Sequence, residues 1–255
     1  MLDCYIINLD RSRDRWELTS QKFQKLGFNV IRIPAISGKD LTFPHPDFAA
    51  WRYFFFYGRK MYPNKVACYL SHIRAIRTFL ESGKDHAMIC EDDVTPDSGL
   101  AEIIQDAMKY AHSWDLLRLN GGKQPSNLDF AQLSNGYSLC SDLRYTSGNG
   151  GKVINRTAAE KIVKKLMPMR MPHDVTLYYD WPIGIREASV KPFPIHFNPS
   201  GDSIIGEQPK YPVCHPAVLR YLSVFPYRYL SRGTRLIQRL ICAWGRCYFP
   251  PKPKN

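Results

Sequence analysis

The sequence predicts an α/β protein with a mainly parallel, helix-covered central sheet and a basic C-terminal tail. Three observations predict it. Short apolar runs alternate with stretches of helical periodicity as far as about Pro192, the order produced when helices cover a parallel sheet. The 255 residues are 44% hydrophobic and 23% charged, which suits one sizeable core without a disulfide framework. The net charge of +12 is also unevenly placed. Eight basic residues and no acid follow Pro216, whereas residues 1–215 hold 27 basic against 23 acidic residues. The near-neutral body argues against a nucleic-acid groove running across it. Two regions result: a domain over 1–215 and a tail over 216–255.

The elements follow in order. Cys4–Leu9 reads as a buried strand. Asp14–Leu26 is helical, with Trp16, Phe23 and Leu26 on one face and Gly27 as the stop signal. Val30–Ile33 is a second strand. Residues 37–63, rich in Pro, Gly and aromatics, read as a loop-rich insertion with room for a short helix. Val66, Tyr69, Leu70, Ile73, Ile76 and Leu80 keep helical spacing up to Gly83. His86–Cys90 is an apolar strand running into Glu91-Asp92-Asp93. A helix carrying Ile103, Ile104, Ala107, Met108 and Ala111 follows, then a strand at Asp115–Leu119. A strand near Lys152–Ile154 leads into a helix over Thr157–Leu166.

The seven cysteines show no zinc-type spacing, and four lie in apolar stretches, which points to a reducing compartment. No run reaches about 18 unbroken apolar residues, and the chain opens directly on a strand, so a cytoplasmic protein is expected. The tail, residues 217–249, allows two arrangements. It is either an ordinary amphipathic helix packed on its own domain or a peripheral membrane anchor. In the second, Leu219, Leu222, Phe225, Tyr229, Leu236, Leu240 and Trp244 enter the interface and the arginines meet anionic head groups.

The strongest chemical signal is Glu91-Asp92-Asp93. Three adjacent acids at the end of an apolar strand are costly unless their charge is compensated. Carboxyl ends of strands are where open α/β sheets bind ligands. Two carboxylates at that point can hold one Mg²⁺ or Mn²⁺ with positions left for a diphosphate. The plain alternative is a solvated acidic turn or a helix start favoured by Asp.

Three ordered segments resemble glycosyltransferase family 25, the lipopolysaccharide and procollagen galactosyltransferase-like group. Ile7-Asn8-Leu9-Asp10-Arg11-Ser12-Arg13-Asp14-Arg15 is similar to the family's INLxRSxDR opening. Ala67-Cys68-Tyr69-Leu70-Ser71-His72 is similar to its GCxLSH helix, and Ile89-Cys90-Glu91-Asp92-Asp93-Val94 matches its EDDV element. Weaker matches reach about residue 205. The resemblance implies a GT-A-like, nucleotide-sugar-binding domain. It further implies an inverting transfer of a hexose, with galactose expected, from a UDP-sugar to a hydroxyl of a lipopolysaccharide- or lipooligosaccharide-type glycan. Mn²⁺ or Mg²⁺ would sit at Asp93 and Glu91. The expected setting is the cytoplasmic face of a bacterial inner membrane, with a lipid-linked acceptor and no nucleic acid. A non-catalytic membrane-surface or glycan-binding module on the same fold is the alternative.

The resemblance also suggests individual roles. Asn8, Arg11 and Arg13, with Arg15 nearby, would hold the uridine and its diphosphate, joined by Ser71, His72, Glu91 and Asp92. Asp174 is the candidate general base, or a further metal contact. Asp180 and Trp181 would form an acceptor platform, and His196 and Asp202 lie in a late segment that often closes such sites. Two departures from the family pattern stand out: Lys65 where a Glu is usual, and Lys152 where an aromatic is common.

Overall fold

The computed structural model describes residues 2–125, 128–143, 148, 150–178, 183–198, 216–249 and 251–253. The first half contains β1 (Asp3–Asn8), α1 (Arg13–Lys25), β2 (Asn29–Pro34), α2 (Ala50–Arg52), α3 (Pro63–Glu81), β3 (His86–Glu91), β4 (Val94–Pro96) and α4 (Leu100–Met108). Next come β5 (Leu116–Arg118), β6 (Asp129–Gln132), β7 (Ser138–Cys140), β8 (Gly151–Asn155), α5 (Arg156–Leu166) and α6 (His173–Tyr178). The chain ends with β9 (Glu187–Lys191), β10 (Ile195–Phe197), α7 (Ala217–Leu219) and α8 (Phe225–Tyr248).

Eight strands form one sheet in the order β2-β1-β3-β8-β5-β9-β7-β6, and β4 pairs with β10 in a small ribbon. β1 lies parallel to β2 and β3, and β5 lies parallel to β9. β8 runs antiparallel between β3 and β5, and β7 runs antiparallel between β9 and β6. The sheet is therefore mixed rather than mainly parallel. The physical reason lies between β5 and β8. A parallel neighbour needs a crossover, usually a helix, and the described chain there supplies only the β6–β7 hairpin, turned by Asn135 (φ 58°) and Gly136 (φ 76°).

Alternation along the strands sorts the core into two layers. Tyr5 and Ile7 of β1 join Ile89 and Ile154 beneath α3 and α5, packed on Tyr69, Ile73, Ile76 and Ile162. Cys4 and Ile6 point the other way, to Met88, Val153 and Leu117, closed by Phe23 of α1 and Ile103 of α4. Helix starts follow local chemistry: Pro63 opens α3, and the Asn155 side chain accepts the Ala158 N–H at 2.7 Å to cap α5. In the insertion, α2 runs on into a π-helical turn over Tyr53–Tyr57 that ends at Gly58 (φ 67°).

The tail docks the opposite way round from the expectation that its arginines meet head groups. Ser231, Arg235, Arg239, Ala243 and Arg246 form the buried face of α8. Arg239 reaches Glu187 of β9 at 2.7 Å, where Arg118 of β5 also binds at 2.6 Å. Arg246 donates to the Ser141 hydroxyl at 2.7 Å and to the carbonyls of Ser113 and Glu187 at 2.9 and 3.1 Å. Burying these guanidinium groups is tolerable because an acid and several carbonyls answer them. The apolar side chains of α8 are left outside. Among the described residues, no helix is long and apolar enough to cross a membrane.

Candidate active site

β1 lies between β2 and β3, so the chain leaves it first to one side and later to the other. Such a switch point opens a crevice at the carboxyl ends of the strands. A cavity of about 360 Å³ occupies it, within the size range of ligand pockets. Arg11 reaches it from the β1–α1 connection, Arg15 from the first turn of α1, and Ser37 and Gly38 from the turn after β2. Cys68, Ser71 and His72 line it from α3, and Glu91, Asp92 and Asp93 from the end of β3. Gly38 is required by contact: a Cβ there would sit 2.6 Å from the Asn64 backbone nitrogen.

The three acids have different surroundings. Asp92 accepts from the Asn8 side-chain amide at 2.6 Å, its carbonyl accepts from Thr19 at 2.8 Å, and Arg15 lies 3.8 Å away. Burial raises its pKa, opposed by Asn8 and Arg15. Asp93 has weaker support, from the Arg15 charge and its own backbone N–H. Among the described residues its Oδ1 is buried without a hydrogen-bond partner, and burial, then the charges of Glu91 and Asp92, push its pKa up to about 7. A buried acceptor without a donor, beside two further carboxylates, suits an oxygen-seeking divalent cation.

Glu91 is tied to the layer below. His72 Nε2 lies 3.0 Å from Glu91 Oε1, and His72 Nδ1 lies 3.4 Å from Lys152 Nζ. Lys152 Nζ also lies 3.2 Å from His173 Nε2, and the two imidazoles stack 4.4 Å apart, 6° from parallel. The hydrogen-bond pattern assigns neutral His72 with its proton on Nε2, donating to Glu91 and accepting from Lys152. Burial lowers both histidines, and the Lys152 charge adds to it. Burial also brings Lys152 down to about 7, against the pull of Glu91. Cys68, His72 and Glu91 offer donor atoms within 4.8 Å of one another. Burial keeps the Cys68 thiol protonated and Lys152 lies on the far side of His72, so these three make a poor donor set for a cation.

A second cavity, of about 180 Å³, adjoins the first across Cys68, Glu91 and Phe197, and is lined by Lys65, Gly148, His173 and Asp174. Phe197, shared by both cavities, packs closely on Gly150: a Cβ there would meet the Phe197 ring and Val94 at 2.9 Å.

Of the residues singled out in the sequence, Arg11, Ser71, His72, Glu91, Asp92 and Asp93 line one cavity, and Asp174 lines its neighbour. The Ser71 hydroxyl donates to the Ala67 carbonyl at 2.7 Å and accepts from Ile36 N at 2.8 Å. Asn8 stands behind the wall: its amide donates to Asp92 and to the Ser12 carbonyl, and its oxygen accepts from Arg32 at 2.9–3.0 Å. Arg13 is exposed at the start of α1 and does not line the cavity. His196 pairs with Asp97 at 3.1 Å and lines neither cavity. Asp180, Trp181 and Asp202 lie outside the described residues. Of the residues not named as site residues from sequence, His173 lines the second cavity and Lys152 lies buried between His72 and His173. The available signal was Lys152 itself, a cation on the same strand face as core Ile154, which demands buried partners.

The molecule is an open-sheet α/β protein with a cavity at the switch point of its strands. Comparison with known proteins makes the assignment particular. Residues 1–177 match glycosyltransferase family 25 (LPS biosynthesis protein), and the chain belongs to that family. A glycosyltransferase 25 family member of Anopheles gambiae is 24% identical over 179 residues, covering 65% of this chain and 30% of the relative. One of Aedes aegypti is 25% identical over 126 residues, covering 44% and 20%. The chain thus spans less than a third of these relatives' length. Two solved structures are distantly similar. One is a glycosyltransferase involved in glycosylation of the major capsid of PBCV-1 (10% identity, TM-score 0.44, 74% of this chain and 80% of that one). The other is A197 from STIV (14% identity, TM-score 0.40, 74% and 81%).

Proposed function

We propose that the protein is an inverting glycosyltransferase with a GT-A-like site. It would move a hexose, with galactose the expected sugar, from a UDP-sugar to a hydroxyl of a lipopolysaccharide- or lipooligosaccharide-type glycan on the cytoplasmic side of a membrane. The observation that carries the proposal is the buried, unpartnered Asp93 Oδ1 in a cavity that Arg11 and Arg15 also enter. Asp93 and Glu91 would hold Mn²⁺ or Mg²⁺, which when bound offsets charge on the departing nucleoside diphosphate.

The chain's own residues then have separable tasks. Arg11 and Arg15 donate charge-assisted hydrogen bonds to phosphate oxygens. His72, fixed by Lys152, orients Glu91. Asp174, across the shared wall, takes the proton of the acceptor hydroxyl as its oxygen bonds to the anomeric carbon. The bond from that carbon to the diphosphate oxygen breaks on the opposite face, and its electron pair leaves with the diphosphate.

The test is UDP release from a panel of UDP-sugars, with Mn²⁺ and with EDTA, comparing wild type and Asp93→Asn. Metal-dependent release that the substitution reduces at least a hundredfold is expected. Neither release nor UDP binding by calorimetry would overturn the proposal, and binding without release for any acceptor would favour the non-catalytic module.

A further inference from the structure

We propose that Arg32 and Asn8 are positioning residues for the diphosphate end of the cavity: they fix the Asp92 carboxylate, which in turn holds the Arg15 guanidinium where phosphate arrives. The inference deepens the sugar-transfer proposal and rests on its reading of Arg15 as a phosphate-binding residue.

The residues form one line of contacts across the carboxyl ends of three neighbouring strands. On the edge strand β2, Arg32 donates through Nε and Nη2 to Asn8 Oδ1 at 3.0 and 2.9 Å. Asn8 ends β1, the middle strand, and its amide nitrogen donates to Asp92 Oδ2 at 2.6 Å. Asp92 directly follows β3, and its other oxygen, Oδ1, lies 3.8 Å from Arg15 Nη1. At the outer end Asp10 pairs with Arg32 at 2.6 Å.

Chemistry gives the line a direction. A guanidinium only donates, so Asn8 must turn its amide oxygen to Arg32 and its nitrogen to the other side. There the nitrogen meets two acceptors, the Ser12 carbonyl at 2.9 Å and the Asp92 carboxylate. Asn8 is buried, so the reversed amide would set its oxygen against both acceptors, away from water. Arg32 is the group that forbids this reversal. With Oδ2 engaged by Asn8, Asp92 presents Oδ1 to Arg15.

Helix α1 is registered on the same turn. Arg15, Thr19 and Lys22 recur at helical spacing on one face. Thr19 donates to the Asp92 carbonyl and Lys22 to the Thr95 hydroxyl, each at 2.8 Å. These contacts set the backbone of α1, and the direction of the Arg15 side chain is left to its acids. Arg15 also interacts with the Asp93 charge, and a fixed Asp92 keeps the guanidinium from swinging wholly to that carboxylate. Arg32 and Asn8 line neither cavity, so their effect on a ligand passes through this relay.

The test is calorimetric titration of the full chain with UDP and with uridine, both with Mn²⁺ present. Arg15→Met is expected to weaken UDP about tenfold and to leave uridine within about twofold, because it removes a charge-assisted phosphate contact. Arg32→Met is expected to weaken UDP about fivefold with uridine again unchanged. Added to Arg15→Met it should cost less than about twofold more, since both act through one guanidinium. Arg32→Lys keeps a donor for Asn8 Oδ1 and should restore UDP binding to within about twofold of wild type. Arg32 is one-third exposed on an edge strand, and thermal unfolding checks that each variant folds. Unchanged UDP binding in Arg32→Met, equal weakening of UDP and uridine, or full additivity with Arg15→Met would each overturn the proposal. A ligand-free readout accompanies the titrations. The Arg15 Nε–H group, followed by proton–nitrogen NMR, should be ordered in wild type and as mobile as that of exposed Arg13 in Arg32→Met. An Arg15 equally ordered in both would overturn the relay. Wild type that binds neither UDP nor uridine, with this NMR contrast intact, would refute the sugar-transfer proposal and leave the relay standing.

Discussion

Glu187→Gln tests the energetics that hold α8 on the body. The Glu187 side chain is only 4% exposed, 2.6 Å from Arg118 and 2.7 Å from Arg239. Burial alone would raise its pKa, but the charges of Arg118 and Arg239 and the Arg118 hydrogen bond hold it down to about 2, from an ordinary 4.5. At about 1.4 kcal/mol per pH unit, that difference corresponds to about 3 kcal/mol of folding stability. The folded value is the lower one, so the stabilisation is complete above about pH 4.5 and is lost as pH falls towards 2. Removing the charge also leaves two guanidinium groups buried without their acid, a change that typically costs 3–5 kcal/mol. Urea unfolding followed by circular dichroism should therefore show Glu187→Gln less stable by about 3–5 kcal/mol at pH 7. The difference should shrink to about 1–2 kcal/mol at pH 3, where Glu187 is already losing its charge in the unfolded state. A difference below 1 kcal/mol at pH 7, or one that does not shrink in acid, would refute the reasoning.

The other expectations concern the site. Asp93 has a folded pKa raised to about 7, so its charge destabilises the cation-free protein as pH rises from about 4 to 7. Asp93→Asn should then melt a few degrees higher than wild type at pH 8 in EDTA, and should lose any thermal shift that Mn²⁺ gives wild type. Lys152, brought down to about 7 by burial, binds its proton more weakly folded than unfolded. Stability should rise between about pH 7 and 10 in wild type, and Lys152→Met should flatten that rise in urea titrations at pH 7 and 9. Gly38→Ala forces a Cβ against the backbone at the start of α3. A loss of about 1–3 kcal/mol, with weaker UDP binding by calorimetry, is expected.

Much of this architecture is legible from periodicity. The helical spacing of Val66 through Leu80 locates α3, and the apolar run His86–Cys90 locates β3, because burial on a regular element imposes its period on the sequence. The strands β6, β7 and β10 are not legible: each has three or four residues, too few to establish alternation. The direction of β8 was hidden for another reason, since pattern reports which residues are buried and not which way a strand runs. In α8 a period near 3.6 reveals two faces, but the choice of inward face depends on Glu187, 52 residues from Arg239. The same distinction applies at the site. The acids at the end of β3 are contiguous and visible, whereas the meeting of His72, Lys152 and His173 joins α3, β8 and α6 through tertiary contacts alone.

The pairing of Glu187 reaches further than the tail. Arg118, which shares that carboxylate with Arg239, also donates to the Gly148 carbonyl at 3.3 Å and stands in register with Lys152 on the neighbouring strand. Four residues therefore connect the outer helix to the rim of the cavity that holds Asp174, through contacts too short to stretch by an ångström without breaking. In mechanical terms α8 is a strut braced against that rim. A chain shortened before residue 216 would lose more than an appendage, because Glu187 would be left to Arg118 alone and the rim would lose its outer brace.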